Sequence, residues 1–162
     1  MLRIINIAVT LVLFVSVQAW SKSFFDYPVI DISNNHAVTL SVNDSVTAVM
    51  FFEPDCSWCF KQVKVFNQFL SQCDSTMQFL GLGVNGSRQA LKKEVWRMQA
   101  TFPMHKASAE LLTDLGQVSS TPFTLLLGAQ QEVLASAKGY LNLSKWLAFI
   151  NSHAGISPVC KF

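Results

Sequence analysis

The sequence is poor in charged residues and in histidine, and it contains no charged run. Only 14% of its 162 residues are charged, with 12 Lys and Arg against 10 Asp and Glu, and it has 3 His. Because no basic run occurs and basic residues do not interleave with aromatic ones, the electrostatic footprint of a nucleic-acid-binding surface is missing. We therefore expect no nucleic-acid partner.

The chain also lacks internal repeats, low-complexity segments and any linker long enough to divide it. Hydrophobic residues make up 51% of the sequence, which is ample for a packed core. A length of 162 residues suits a single domain. Together these features predict one globular unit.

The N-terminal segment has the pattern of a secretory signal peptide. Arg3 precedes an apolar stretch at 4–17, and small residues offer a processing site after Ala19. The stretch is shorter than the roughly 20 residues that cross a bilayer, and no cysteine lies near the site as in a bacterial lipoprotein. The sequence predicts a signal peptide over 1–19, a domain over 20–162 without a membrane span, and a periplasmic location, where disulfides persist.

Apolar patterning predicts alternating strands and helices. A continuous apolar run at 47–53 is typical of a strand buried on both faces. Apolar steps of three and four then predict a helix whose inward face is Cys59, Val63, Phe66, Leu70 and Cys73. Further strands are predicted at 29–32, 38–42, 78–84, 123–128 and 132–138, and further helices at 87–100, 109–115 and 143–152. This order predicts an α/β fold, a mixed sheet sandwiched by helices.

Two of the four cysteines, Cys56 and Cys59, stand three positions apart where the buried strand gives way to the helix. Unpaired amide groups and the helix dipole at a helix N-terminus stabilise a thiolate, which lowers the pKa of a thiol placed there. Cys59, one turn further on, belongs to the inward face. We therefore expect Cys56 to be the attacking sulfur and Cys59 to resolve a mixed disulfide.

The CxxC pair has two other interpretations, a metal site and a structural disulfide. Zinc would require two more ligands, yet no second CxxC accompanies this one, and His36, His105 and His153 are scattered. A loop this short constrains the unfolded chain little, so it would make a weak structural crosslink. Redox chemistry without a metal or other cofactor is the favoured interpretation.

A second signal is the dipeptide Thr121-Pro122, well downstream of the CxxC pair. It places a proline at the first residue of a predicted strand. Proline cannot donate a hydrogen bond to the strand ladder, so a turn or a cis peptide bond is expected there.

These motifs together resemble the thioredoxin fold. The order is a strand, CSWC at a helix start, a strand, a helix, and TPF leading into a hairpin, and Thr121-Pro122 matches the cis-proline that faces the cysteine pair in that fold. The resemblance covers 39–150, and within it the stretch at 79–127 is similar in order and spacing to exported thiol-disulfide oxidoreductases of the TlpA and ResA type. The stretch EPDCSWCFKQ is also similar to the CxxC surroundings of the DsbC and DsbG isomerases.

The resemblance implies an exported thiol-disulfide oxidoreductase that acts on protein substrates and is served by a redox partner protein. Cys56 and Cys59 would be catalytic. Trp58, Thr121 and Pro122 would contact the substrate, with the Thr121 backbone aligning an extended segment by strand-like hydrogen bonds. The chain shows no additional dimerisation domain, so we expect a monomer.

At two positions where these families carry a carboxylate, this sequence has a different residue. Met50 stands where thioredoxins usually carry a buried Asp, and Gly86 falls where the TlpA type often carries a Glu. The sequence therefore names no proton acceptor for Cys59.

The residues around Cys56 favour one redox direction. Ser57 and Trp58 supply no positive charge, whereas Glu53 and Asp55 add negative charge that opposes the helix dipole. We therefore expect a reductase or isomerase and not a strong oxidant.

The resemblance also implies a structural disulfide between Cys73 and Cys160. In the thioredoxin fold, the helix that begins at Cys56 and the last helix end at the same pole, and the two cysteines lie at or just beyond those ends. Two buried free thiols, or a contact with a partner, are the alternatives. Such a crosslink contributes on the order of 4 kcal/mol in the chain-entropy treatment.

Two other function classes are open on the sequence. A thiol peroxidase on a related fold would carry a Thr or Ser three residues before the attacking cysteine, where Glu53 stands. A copper-binding chaperone could use Cys56, Cys59 and a histidine such as His105, although copper chaperones of this fold space their cysteines one residue wider.

Overall fold

The computed structural model describes residues 22–40, 44–116 and 118–161. The predicted signal peptide at 1–19 lies outside these residues. Among the helices of the described segments, none combines the length and the apolarity that a bilayer crossing requires.

The described residues alternate between strands and helices as predicted. The strands are β1 (Val29–Asp31), β2 (Ala37–Val38), β3 (Thr47–Phe52), β4 (Cys73–Asp74), β5 (Gln78–Gly83), β6 (Met104–Lys106), β7 (Phe123–Leu127), β8 (Val133–Lys138) and β9 (Val159–Cys160). The helices are α1 (Ser57–Gln72), α2 (Arg88–Met98), α3 (Ala109–Leu115) and α4 (Leu143–Ala154), with a short 3-10 turn at Phe24–Asp26.

A mixed sheet of seven strands forms the centre of the fold, in the order β2-β1-β6-β5-β3-β7-β8. Strand β5 runs parallel to β3 and β6, whereas β7 and β1 are antiparallel to their neighbours. The central strand β3 is buried along its whole length. Its alternating side chains feed two cores, with Met50 and Phe52 in one and Val49 and Phe51 in the other.

Helices cover both faces of this sheet. One core contains Phe66 of α1, Leu91 of α2 and Trp146 of α4. The opposite core contains Leu111 of α3 and Phe24 of the 3-10 turn. The predicted fold class, a mixed sheet sandwiched by helices, is confirmed.

Helix α1 departs from the predicted inward face at one position. Leu70 is 38% exposed, whereas Val65, Phe66 and Phe69 are buried in the same two turns. At 3.6 residues per turn, these three residues centre the buried face about a quarter of a turn away from Leu70. The prediction of Leu70 as an inward residue is therefore wrong.

A second, two-stranded sheet at the end of α1 was not predicted. Strand β4 pairs antiparallel with β9, and Cys73 lies opposite Cys160, to which it is joined by a disulfide. Lys161 N donates to Gln72 O at 2.8 Å, so the cysteines occupy a non-hydrogen-bonded pair. Opposing side chains are closest at such a pair. This register brings the two sulfurs together across a sequence separation of 87 residues.

The ends of three neighbouring strands, β5, β3 and β7, lie side by side at the same end of the main sheet. The last residue of β3, Phe52, lies opposite Gly83 at the end of β5, and Phe51 lies opposite Phe123 at the start of β7. The segments that continue from these ends carry Glu53 and Cys56, Asn85, and Thr121-Pro122. Polar residues that are remote in sequence are thereby gathered at one edge of the fold.

Candidate active site

Cys56 is the N-cap residue of α1. Its Sγ accepts a hydrogen bond from the backbone amide of Cys59 at 3.1 Å. The preceding residue, Asp55, has a φ of 59°, a left-handed conformation that Asp tolerates better than most residues. This turn redirects the chain from the buried strand into the helix. The Cys56 sulfur consequently lies at the positive end of the helix dipole.

Cys56 and Cys59 form a disulfide with an S–S distance of 2.04 Å, and the two residues differ in exposure. Cys59 is fully buried, whereas Cys56 is only half-buried. An incoming sulfur therefore reaches Cys56 first.

The Thr121-Pro122 segment lies against this disulfide. The peptide bond between the two residues is cis. The Thr121 Oγ1 atom lies 3.5 Å from Cys56 Sγ. The Pro122 carbonyl accepts a hydrogen bond from Gly139 N at 2.8 Å, which ties this loop to the segment that follows β8. The structure thus brings together two motifs that stand far apart in the sequence.

An open cleft of about 280 Å³ runs beside the disulfide and is lined by Trp58, Thr121, Pro122, Gly139 and Tyr140. Trp58 is 52% exposed, and its ring centroid lies 5.6 Å from that of Tyr140. Lys61 Nζ lies 4.1 Å from the Trp58 ring centroid on the same helix. Part of the cleft wall is therefore aromatic, and Thr121 in that wall lies next to the more exposed sulfur.

A larger cavity, of about 530 Å³, lies elsewhere on the molecule. Residues of α3 and of the turn between β7 and β8 line it, together with Tyr27, and no cysteine borders it. The Asp114 carboxylate accepts a hydrogen bond from the Tyr27 hydroxyl at 2.5 Å and raises the pKa of Tyr27 to about 12. This cavity contains none of the predicted site residues.

Gln62 is a buried polar residue that the sequence reasoning missed. It lies on the inward face of α1, and its Oε1 accepts a hydrogen bond from Leu141 N at 2.8 Å. This bond anchors the loop that carries Tyr140 to the helix that carries the cysteines. A lone polar residue on an otherwise apolar helix face is the sequence signal that could have revealed it, because such a residue requires a hydrogen-bond partner.

Glu53 was expected only to add negative charge near Cys56, and the structure gives it two specific partners. Thr121 Oγ1 donates to Glu53 Oε1 at 2.6 Å, and Asn85 Nδ2 donates to Glu53 Oε2 at 3.1 Å. Each carboxylate oxygen is thus held from a different strand end. Glu53 therefore bridges the ends of β3, β5 and β7 beside the disulfide.

Neither of the two positions Met50 and Gly86 supplies a carboxylate. Met50 is fully buried in the core. A Cβ atom on Gly86 would lie 2.6 Å from Pro54 Cγ, so the close packing of Pro54 leaves no space there for a side chain. Gly86 is thus required because it packs against Pro54, which lies in the turn before the CxxC pair.

His105 does not join the cysteines. It lies in β6, which is separated from β3 by β5, and two strand spacings correspond to roughly 10 Å. Burial lowers the pKa of His105, and the carboxylate of Asp31, its register partner in β1, partly offsets this effect. Within the described segments, no group of three or more His, Cys, Asp and Glu side chains is arranged to hold a metal ion.

No protein-family model matches the chain, and neither does any curated protein. Solved structures do match it. A secreted disulfide oxidoreductase of Mycobacterium tuberculosis, described as homologous to E. coli DsbE, aligns with a TM-score of 0.65 at 11% identity over 80% of this chain and 97% of that one. The dsbF protein of MTB gives a TM-score of 0.65 at 14% identity over 80% and 96% of the two chains.

A thiol:disulfide interchange protein of the thioredoxin family from Chlorobium tepidum gives a TM-score of 0.62 at 17% identity over 78% of this chain and 92% of that one. At these identities the similarity concerns the fold. The chain has the thioredoxin-like fold that the sequence resemblance predicted.

Proposed function

We propose that the protein is a thiol-disulfide oxidoreductase that exchanges disulfides with protein substrates through Cys56 and Cys59. One observation carries this proposal. A disulfide at the N-terminus of a helix has one accessible and one buried sulfur, and the accessible one faces the Thr121-Pro122 loop. The printed descriptions of the similar structures, disulfide oxidoreductase and thiol:disulfide interchange protein, agree with this chemistry.

The reaction uses the unequal exposure of the two sulfurs. In the reduced protein, the Cys56 thiolate attacks one sulfur of a substrate disulfide, so that a mixed disulfide forms and the other substrate sulfur leaves as a thiolate. The Cys59 sulfur then attacks Cys56 Sγ and releases the second substrate sulfur. Two electrons pass to the substrate, its sulfurs take up the Cys59 proton and one proton from solvent, and the Cys56–Cys59 disulfide is restored.

The cleft beside the disulfide is the proposed docking site for the substrate. Thr121 immediately precedes Pro122 and β7, so its backbone can align an extended substrate segment by strand-like hydrogen bonds. Trp58 and Pro122 supply apolar contact surface next to the reacting sulfur. This arrangement suits an unfolded or loosely folded protein segment that presents a cysteine.

Reductase or isomerase activity is proposed in preference to strong oxidant activity. Cys56 Sγ accepts one backbone hydrogen bond, and the Glu53 carboxylate is linked to it only through the Thr121 hydroxyl. A strong oxidant would require extra stabilisation of the thiolate. Equilibration with a glutathione buffer measures the potential, and a value as oxidising as about −120 mV would contradict the proposed direction.

The proposal includes export and an external source of electrons. The signal-peptide pattern and the Cys73–Cys160 disulfide fit a periplasmic protein that works as a monomer with a redox partner protein. Export predicts a mature N-terminus at Trp20, which mass spectrometry of the periplasmic fraction measures. Recovery of the uncleaved chain in the cytosol would contradict it.

Reduction of insulin disulfides tests the activity. The wild-type protein should accelerate insulin reduction with dithiothreitol as electron source, and Cys56→Ser should not. Cys59→Ala should accumulate mixed disulfides with protein substrates, because the resolving sulfur is missing. Copper binding by the reduced protein or rapid peroxide consumption, without insulin reduction, would favour the copper chaperone or the thiol peroxidase instead.

A further inference from the structure

The Thr121 hydroxyl group has one hydrogen and two neighbouring acceptors. Its Oγ1 lies 2.6 Å from Glu53 Oε1 and 3.5 Å from Cys56 Sγ. A hydroxyl can donate only one hydrogen at a time. The short distance and the ionised acceptor assign that hydrogen to the carboxylate.

The Glu53 carboxylate is held in this orientation from its other side. Asn85 donates to Oε2 from the turn after β5, where its φ of 52° lies in the left-handed region that Asn tolerates. Glu53 itself is half-buried. The carboxylate is therefore fixed toward Thr121.

We propose that Glu53 is a positioning residue which, by occupying the Thr121 hydroxyl hydrogen, withholds a hydrogen bond from the Cys56 thiolate. The inference takes Cys56 as the reacting thiol and so rests on the proposed function. With its hydrogen on Glu53, the Thr121 oxygen turns lone pairs toward the sulfur. A Cys56 thiol can donate to that oxygen, whereas a thiolate finds no donor there.

The consequence is a selective loss of thiolate stabilisation. Stabilising the thiolate stabilises the reduced protein and makes a dithiol more oxidising, so withholding a donor has the opposite effect. Glu53 thereby keeps the pair on the reducing side, and its effect passes through one hydroxyl group. A simple charge repulsion would need no hydroxyl.

Other titratable groups lie around Cys56 and must be separated from this effect. Asp55 adjoins Cys56 in the chain, Tyr140 stands across the cleft, and Lys61 lies over the Trp58 ring. Of these, Asp55 is the matched control. Like Glu53 it is a carboxylate close to Cys56 in sequence, but Thr121 donates to Glu53 and not to it.

The test is the pH dependence of Cys56 alkylation by iodoacetamide in the reduced protein, followed by mass spectrometry of the Cys56 peptide. In Glu53→Gln, the alkylation profile should shift to lower pH, with about a three- to tenfold faster reaction on its acidic side. In a Thr121→Val background, Glu53→Gln should give a clearly smaller acceleration, the part that is due to the removed charge alone. The same acceleration in both backgrounds, or none in either, would overturn the inference.

Three further variants make the result specific. Thr121→Ser keeps the hydroxyl and should restore the response to Glu53→Gln, whereas Asp55→Asn should have an effect that is independent of Thr121. Asn85→Ala frees the carboxylate without removing it and should give part of the Glu53→Gln shift. Thermal melting checks that each variant is folded, and if Thr121→Val is not, Thr121→Ala replaces it in the cycle.

Alkylation requires no protein substrate, so this test is separate from the proposed function. If the Glu53→Gln acceleration depends on Thr121 as expected but the protein does not reduce insulin, the proposed function alone is rejected. Insulin reduction that depends on Cys56, with a Glu53 effect insensitive to Thr121, would reject the positioning role alone.

Discussion

The two disulfides of this protein lie at opposite ends of the same helix, α1. Cys56–Cys59 closes a separation of 3 residues at its N-terminus, whereas Cys73–Cys160 joins its C-terminal end to a strand 87 residues away. The half-buried Cys56 sulfur of the first lies next to Thr121, a residue that lines an open cleft. The second lies within a small antiparallel ladder, where Cys73 is buried and Cys160 is half-buried.

The helix dipole also makes the two ends of α1 differ in how well they stabilise a thiolate. At the N-terminus, Cys56 Sγ accepts from a free backbone amide, and the dipole favours a thiolate. At the C-terminus, the Cys73 amide is already bonded to Phe69 O, and the dipole disfavours a thiolate. We therefore expect the Cys56–Cys59 disulfide to exchange readily and the Cys73–Cys160 disulfide to persist.

The largest expected effect is on disulfide exchange. Cys56→Ser should lower the rate of insulin reduction by at least about a thousandfold, because Cys59 is buried and the other two cysteines lie at the far end of α1. The matched control is the double variant Cys73→Ser with Cys160→Ser, which should keep most of the activity at a temperature where it is folded. Loss of exchange in the control to the level of Cys56→Ser would erase the distinction between the two ends.

The next effect is on stability, and here the order of the two disulfides reverses. Removing Cys73 and Cys160 should lower the free energy of unfolding by about 4 kcal/mol, because the long loop is freed in the unfolded chain. Removing Cys56 and Cys59 should cost about half as much by the same treatment. Urea denaturation of the oxidised proteins measures both values, and equal losses would contradict the comparison.

Reduction should then proceed in a fixed order. In a graded series of dithiothreitol buffers, Cys56–Cys59 should open first, at an equilibrium constant at least about a hundredfold more favourable, or about 60 mV for a two-electron couple. Mass mapping after alkylation at each step identifies the reduced cysteines. Simultaneous opening of both bonds would show that the helix ends do not differ in redox behaviour.

Sequence patterns predicted the Cys56–Cys59 end of α1 better than the Cys73–Cys160 end. The buried strand β3, the CxxC pair and the start of α1 follow one another directly, so local periodicity places all three. Strands β4 and β9 have two residues each, which is too short for any periodic signal, and their pairing depends on contacts distant in sequence. The Cys73–Cys160 pairing itself was inferred from the fold resemblance and not from a local pattern.

The partners of the active-site residues show the same limit. The sequence indicated only the negative charge of Glu53 and did not indicate a role for Gln62. The partners of Glu53 are Thr121 and Asn85, and the partner of Gln62 is Leu141, and all three come from segments remote in sequence. Part of the strand predicted at 38–42 is present, since β2 covers Ala37–Val38 and 41–43 lie outside the described residues. Residue types indicate which groups need partners, and tertiary contacts decide which ones they obtain.

The smallest predicted effect concerns exposed apolar side chains at the two ends of α1. Trp58 is 52% exposed beside the cleft, and Leu70 is 38% exposed in the last turn of the helix. If Trp58 contacts the substrate, Trp58→Ala should lower kcat/KM for insulin by about five- to thirtyfold, which corresponds to about 1 to 2 kcal/mol of docking energy. A small disulfide such as oxidised glutathione should lose less than about twofold, because it does not need the aromatic wall. Leu70→Ala serves as the control, and equal losses in the two variants would show that Trp58 acts through the stability of the helix and not through substrate contact.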